Sequence, residues 1–265
     1  MKLLNGEILG NKKYGENLYK IEVFSPYICR NALPGQFVEV KCSYEHLTDP
    51  LLRRPFSICE IDRRFNVFSL LFTVRGKGTA FMTKLKKGET LNFIGPLGEG
   101  LKFNEGHLKY VLIGGGIGVA PLCFIANELI TKENDVLFMA GFKDNSFYAW
   151  ERDLIKITRN YKIFTEDGSR GEYGIPAAHV SKNLKEYKNC TFIICGPVEM
   201  LKALQGILKK AGKVRALALM EERMACGIGV CMGCVIKIKG TDGGFNYRKV
   251  CSDGPVFDLM EVIFD

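Results

Sequence analysis

The sequence is short of the groups that carry out acid–base chemistry on an organic substrate. Its three histidines, His46, His107 and His179, stand singly, and none falls into a Ser/His/Asp arrangement. No pair of carboxylates stands out as a general acid and base. Long hydrophobic runs are missing too. Met1–Gly10 has no apolar core followed by a small-residue cleavage site. The longest uncharged stretch, Tyr110–Asn127, is marginal for a bilayer span and is broken by Gly114, Gly115, Gly116, Gly118 and Pro121. A cytoplasmic protein with reduced thiols and no membrane span is therefore expected. There is no internal repeat and no low-complexity linker. The net charge of +8 is dispersed over short Lys/Arg groups, which reads as a solvated surface and not as a nucleic-acid face.

What is present is an ordinary globular composition, 47% hydrophobic and 25% charged over 265 residues, enough for a sizeable core and about two domains. Two counts ask for explanation, 29 glycines and ten cysteines. The cysteines are too sparse for a small disulfide scaffold, and in a reducing compartment clustered thiols point to metal or catalysis.

Segments rich in Val, Ile, Phe and Tyr read as strands at Glu7–Lys12, Leu18–Phe24, Gln36–Lys41, Phe56–Ile61, Val67–Val74 and Thr90–Ile94. Gly and Pro punctuate them with little helix between, so residues 1–103 are expected to form a small antiparallel β-barrel of six strands. From residue 104 to 215 the pattern alternates. Strands Tyr110–Ile113, Asp135–Ala140, Lys162–Phe164 and Thr191–Cys195 interleave with helices Ala120–Ile130, Tyr148–Thr158 and Glu199–Ala211. That alternation predicts a doubly wound parallel sheet. Residues 216–265 form a third, small C-terminal segment.

In that segment Cys226, Cys231, Cys234 and Cys251 give the series C-x4-C-x2-C-x16-C. Close ligands on a loop carrying Gly227, Gly229 and Gly233 let the backbone wrap a compact inorganic centre, and the distant fourth closes the cage. This is the plant-type arrangement for a [2Fe–2S] cluster. Zinc also takes four thiolates but favours paired C-x2-C knuckles. A zinc-stabilised nucleotide-binding regulator without redox turnover is therefore the reading from a different class. Cys29, Cys42, Cys59, Cys123, Cys190 and Cys195 lie mostly in apolar segments and read as inert core thiols.

Val111-Leu112-Ile113-Gly114-Gly115-Gly116-Ile117-Gly118 places glycines where a strand turns into a helix, a position that lets backbone approach a pyrophosphate. Pro121 stands where the full G-x-G-x-x-G fingerprint has its third glycine, so the motif alone is moderate evidence, and a tight turn without ligand is the lesser alternative. Cys195-Gly196-Pro197-Val198-Glu199-Met200 is a second strand end at the same expected sheet edge. Asp144 suits a ribose hydroxyl and Lys143 a phosphate, which leans only weakly toward NADH. In the first segment, Arg53-Arg54-Pro55-Phe56-Ser57 opens a strand and Arg75-Gly76-Lys77-Gly78-Thr79 leads into a short helix. Each alone reads as a basic surface turn; together, on a barrel ahead of a nucleotide domain, they suit phosphate.

The order R-P-F-S, G-K-G-T, G-G-G-I-G-V-A-P and C-G-P-x-x-M resembles the ferredoxin–NADP reductase superfamily. With the tail from Glu221 to Cys234 and the segment Val250–Phe257, it resembles the electron-transfer subunits of NAD-dependent dihydroorotate dehydrogenase. The likeness covers essentially the whole chain, and the cysteine loop is its most specific part. It implies FAD against Arg54, Pro55, Phe56, Ser57, Leu71, Phe72, Thr73, Gly78 and Thr79. It implies NAD(H) against Gly115, Gly116, Gly118, Cys195, Gly196 and Glu199, and the cluster on the four cysteines. Simple ferredoxin reductases usually carry Tyr where Phe56 stands and often end in an aromatic over the flavin. This chain continues into the cluster segment instead, which suits an internal electron exit.

The resemblance further implies an oxidoreductase relay in pyrimidine biosynthesis, with hydride passing from NADH to flavin and single electrons onward to the cluster. The receiver would be an FMN-containing dihydroorotate dehydrogenase catalytic subunit, two copies of each subunit forming the complex. Ile228, Val230 and Met232 are candidate partner contacts, although such residues more often pack around the cluster. The small subunit of an NADH-dependent ferredoxin–NADP oxidoreductase or sulfide dehydrogenase would share the layout. Those relatives often replace the first cluster cysteine by Asp, and Cys226 argues against them.

Overall fold

The computed structural model describes residues 1–44, 48–103, 106–212, 214–241 and 243–264. His46 and Asn104 lie outside the described residues.

The first segment contains β1 (Lys2–Lys13), β2 (Leu18–Phe24), α1 (Pro26–Asn31), β3 (Phe37–Val40), β4 (Arg54–Ser57), β5 (Glu60–Asp62), β6 (Val67–Thr73), α2 (Lys77–Met82) and β7 (Thr90–Leu97). Its strands form one seven-stranded antiparallel sheet, β4-β3-β7-β1-β2-β6-β5. Six strands were expected. The extra one arises because Phe56–Ile61 is two strands on opposite edges, with Ile58 and Cys59 crossing between them. The Ile58 N–H donates to Gln36 O and the Cys59 N–H to Ser69 O, one to each edge. Sequence pattern hides the crossing because Ile58 and Cys59 are themselves buried. Edges joined by two residues lie within roughly 10 Å, so the sheet curls toward a barrel. Ile8, Ile21, Val38, Phe68, Leu70 and Phe93 fill it, and the unexpected α1 adds Ile28 and Cys29.

The second segment contains β8 (Lys109–Gly115), α3 (Val119–Thr131), β9 (Asp135–Phe142), α4 (Tyr148–Ile157), β10 (Tyr161–Thr165), β11 (Glu172–Tyr173), α5 (Pro176–Lys182), β12 (Cys190–Cys195) and α6 (Val198–Lys210). Then follow β13 (Ala216–Leu219), β14 (Val235–Lys239), β15 (Phe245–Lys249), β16 (Val256–Asp258) and β17 (Val262–Ile263). The second sheet runs β11-β10-β9-β8-β12-β13-β16 and is parallel apart from the last pair. Side chains alternate across a strand, and β8 shows the result. Val111 and Ile113 join the core under α5 and α6, whereas Tyr110 and Leu112 join the core under α3 and α4.

Two strands of this sheet, β13 and β16, come from the last fifty or so residues. The remaining sheet, β15-β14-β17, shares the core under α6 through Cys234, Ile236, Val250, Cys251 and Leu259. Gln205 of α6 clasps it, donating to Leu259 O and Val262 O. The cysteine-bearing segment is therefore built onto the second sheet.

Candidate functional site

Strand β4, strand β6 and the turn into α2 face the first turn of α3 across a cleft of about 890 Å³, counted with its open mouth. Pro55, Phe56 and Ser57 line it from β4, and Leu71, Phe72 and Thr73 from β6. Arg75 and Thr79 close one end, and Ile117, Ala120 and Pro121 form the opposite wall. A third side is the stretch after β13, with Met220, Glu221, Glu222 and Met224, joined by Pro255. Mostly apolar walls with a few polar groups suit a flat aromatic ligand. Phe56 stands edge-on to Phe72 with ring centroids 5.8 Å apart, which stiffens the barrel wall.

The two adjacent arginines have different tasks. Arg53 donates to Asn92 Oδ1 at 2.6 Å and to the Glu39 and Asn92 carbonyls, so it ties β3 to β7. Arg54 donates to the carbonyls of Leu52 and Arg53. Its stem lies against Gly78, where an added Cβ would meet Arg54 Cγ at 3.3 Å and Cys42 Cβ at 3.2 Å. The Thr79 hydroxyl, a candidate phosphate contact, accepts from the N–H groups of Arg75 and Gly76 and donates to Gly76 O. It shapes the turn that presents Arg75.

At the sheet edge, Gly114–Gly118 and Cys195–Pro197 pack side by side. A Cβ on Gly118 would lie 2.3 Å from Cys195 O, and one on Gly196 3.0 Å from Gly115 Cα. Gly115 is hemmed in by Pro197 and Met200. Gly116 differs: its φ is +54° and nothing lies within 4 Å of its Cβ position. That bare, left-handed backbone is where a ligand can approach. Glu199 is exposed in the first turn of α6. The Cys195 side chain is buried in the core under α3. Burial, with the Glu221 carboxylate nearby, pushes its thiol well above the usual range. Asp144 caps the turn after β9 by accepting from Ser146 N at 2.8 Å. Cys29, Cys42, Cys59 and Cys123 are buried and Cys190 half-buried.

The four loop cysteines come together in two linked pairs, Cys226 with Cys231 and Cys234 with Cys251. Backbone N–H groups point at their sulfurs: Cys231 N to Cys226 Sγ at 3.4 Å, Gly229 N to Cys251 Sγ at 3.1 Å and Gly233 N to Cys231 Sγ at 3.5 Å. Such donors stabilise sulfur anions. The N–H of Cys231, then that of Ile228, brings the Cys226 thiol down to about 6. Burial, then the Cys234 thiol, pushes Cys251 up to about 12. Among the described residues no three His, Cys, Asp or Glu side chains surround a single ion position. Two thiol pairs fit a two-iron cluster better than one zinc ion. Ile228, Val230 and Met232 on this loop are exposed.

Arg75 was read only as part of a turn suited to phosphate, and two functional candidates escaped the sequence reading. Glu221, two residues past the end of β13, is exposed into the cleft, whose walls desolvate its carboxyl and raise it against the pull of Arg75. Only its place at a strand end, just before the cysteines, signalled it. Glu39 on β3 is 1% exposed, and neither carboxylate oxygen has a partner. Its carboxyl lies under the cysteine loop, where a Cβ on Gly227 would meet it at 2.5 Å. Burial, opposed by Arg53 and Arg54, pushes it up to about 7. A lone acid in the apolar run Phe37–Val40 was its only mark.

Comparison with known proteins adds a family. The chain is 36% identical over 267 aligned positions to the dihydroorotate dehydrogenase B (NAD(+)) electron transfer subunit of Bacillus mycoides, covering 99% of each chain. It belongs to that family. The electron transfer subunits of Bacillus cereus strain Q1 and Bacillus anthracis strain A0248 match equally, at 36% identity with 99% of each chain covered. Residues 221–263 match the model of the iron–sulfur cluster binding domain of dihydroorotate dehydrogenase B. Among solved structures, an NADH-dependent reduced ferredoxin–NADP oxidoreductase aligns with a TM-score of 0.82 at 23% identity, over 97% of this chain and 89% of that one. A ferredoxin NADP+ reductase from Neisseria gonorrhoeae with bound FAD and NADP aligns with a TM-score of 0.65 at 16% identity, over 80% and 92%. These last two likenesses establish the reductase fold.

Proposed function

We propose that this electron transfer subunit passes electrons between NAD(H) and an FMN-containing dihydroorotate dehydrogenase catalytic subunit, by way of FAD and a [2Fe–2S] cluster, in pyrimidine biosynthesis. One observation carries the reading. The cleft wall Met220–Met224 runs on along the chain into Cys226, and Ile117 of the glycine turn lines the opposite wall, so glycine turn and thiol loop both adjoin the cleft. When bound, a flavin would take up a two-electron hydride from a nicotinamide and release the electrons singly, which is what a nicotinamide and an iron–sulfur cluster together require.

The chain's own residues bind and orient. Phe56, Leu71 and Phe72 would form one wall against a flat ring system, Ser57 and Thr73 would offer hydroxyls, and Arg54 and Arg75 would meet phosphate with Gly78 and Thr79 shaping their turn. Gly116 would receive the dinucleotide, with Gly115 and Gly118 packed so as to shape its turn and Gly196 and Glu199 beside them. The buried Cys195 acts through its backbone, which fixes the approach of Gly118. Cys226, Cys231, Cys234 and Cys251 hold the cluster. Functionally the chain divides into residues 1–103 for FAD, 104–215 for NAD(H) and 216–265 for the cluster, the last leaning on the nucleotide sheet.

Exposed Ile228, Val230 and Met232 give the cluster loop an apolar face for the catalytic subunit, in a heterotetramer with two copies of each chain. No helix among the described residues is long and apolar enough to cross a membrane, and we place the protein in the cytoplasm. The test is spectroscopic. Flavin and iron–sulfur absorbance that bleaches on adding NADH, with dihydroorotate-dependent NAD reduction by the copurified complex, is expected. A colourless zinc-loaded protein would overturn the reading.

A further inference from the structure

Barrel and nucleotide domain meet behind the cleft through an apolar core that has one ionic group set into it. Leu18, Cys59 and Leu71 of the barrel pack with Val119, Leu122 and Cys123 of α3. At its edge Lys20 of β2 is 6% exposed, and its ammonium donates to Glu60 Oε2 at 2.7 Å and to Asp153 Oδ2 at 3.0 Å. Asp153 belongs to α4, across the domain boundary, and is also 6% exposed. Its Oδ2 accepts from Tyr14 OH at 2.5 Å and its Oδ1 from Lys156 at 2.9 Å. Tyr14, Lys20 and Glu60 come from the barrel, and their shared link to the nucleotide domain is this one carboxylate.

The position matters as much as the chemistry. Lys20 stands directly opposite Leu71 in the β2–β6 register, so the two side chains share a face of the sheet. Leu71 lines the cleft. The ionic group is thus one strand away from the wall that faces the reacting groups.

Apolar contact is non-directional and leaves two domains free to slide. A buried ion pair adds little net stability over an apolar contact, because desolvation offsets most of its attraction. What it adds is a fixed geometry. Burial by itself would raise the Asp153 carboxyl, but hydrogen bonds from Tyr14 and Lys156 and the charge of Lys20 bring it down to about 2. The carboxylate is therefore ionised throughout the working pH range. Hydride transfer needs donor and acceptor about 3–3.5 Å apart, and a misplacement of about 1 Å costs on the order of a hundredfold in rate.

We propose that Asp153, clamped to Lys20, is a positioning residue that fixes the nucleotide domain against the barrel at the separation the nicotinamide-to-flavin step requires. The inference rests on the reading that dinucleotide and flavin meet in this cleft.

The experiment is anaerobic rapid mixing of the holo-complex with NADH, following flavin absorbance at several NADH concentrations. The variants are Asp153→Asn, Lys20→Met, the double variant and Glu128→Gln. The last breaks the half-exposed Arg63–Glu128 pair at the same domain boundary and serves as the control. Asp153→Asn and Lys20→Met are expected to lower the limiting rate by about tenfold or more while the half-saturating NADH concentration stays within about threefold. The double variant is expected to be no slower than the slower single variant, and Glu128→Gln to match the wild type. A limiting rate within about twofold of wild type in Asp153→Asn, or losses that simply add in the double variant, would overturn the proposal. If Asp153→Asn does not fold, Tyr14→Phe decides: it removes one hydrogen bond to the same carboxylate, and an unchanged rate overturns the idea. Wild-type flavin that fails to bleach would instead refute the cleft reading.

Discussion

The Cα of Gly118 lies against the main chain of Cys195, so near that a methyl group there would sit 2.3 Å from the Cys195 carbonyl oxygen. Two strand ends separated by most of the nucleotide domain become one ligand edge through this contact. Gly118→Ala is expected to push the turns apart, abolish NADH-dependent flavin bleaching and cost about 1–3 kcal/mol of stability. Gly206→Ala, inside α6 with nothing within 4 Å, is the internal control. It is expected to raise stability by about 0.4–1 kcal/mol with bleaching intact. Thermal melting and the bleaching assay measure both.

The two neighbouring arginines separate folding from binding. Arg53→Ala removes the bonds to Asn92 and Glu39 and is expected to lower the melting temperature. Arg54→Ala is expected to leave melting nearly unchanged and weaken FAD binding by about tenfold, the worth of one charge-assisted contact. Flavin fluorescence on titration into apoprotein reads the difference.

Cys231→Ser is expected to remove the iron–sulfur absorbance and the bound iron while FAD stays, since the cleft lining includes none of the four cluster cysteines. Iron analysis beside flavin quantitation checks it. Simultaneous loss of FAD would show that cleft and loop are not separable in this way.

Thiol reactivity should follow the shifts in sign and order. Burial disfavours the Cys195 thiolate and raises its pKa, so Cys195 is expected to resist alkylation at pH 8 in the folded protein. Cys226 lies at about 6 because loop N–H groups favour its anion. In cluster-free protein it is ionised above that pH and is expected to alkylate first. Peptide mass spectrometry after brief alkylation at pH 7 measures the order, and early modification of Cys195 would contradict it.

Helices α3, α4 and α6 were legible within a residue or two of their ends, because apolar periodicity is local; the short α5 was not foreseen. The cysteine spacing was legible for the same reason. Phe56–Ile61 was misread as one strand because Ile58 and Cys59 are buried at a crossing between sheet edges. Glu39 and Glu221 carried no periodic signal. Each is marked out by its place in the fold, Glu39 beneath Gly227 and Glu221 on the wall of the cleft.

Short-range order thus came from the chain alone: glycines where backbone must bend, thiols spaced to ring a cluster, and strands alternating with helices. These depend on the conformations open to a few adjacent residues. The tertiary structure decided what meets across long separations. It set β13 and β16 on the second sheet, curled the first sheet at Ile58 and Cys59 and brought Lys20 to Asp153, 133 residues away. Such meetings are fixed by how sheets curl and stack, and no stretch of neighbouring residues encodes them.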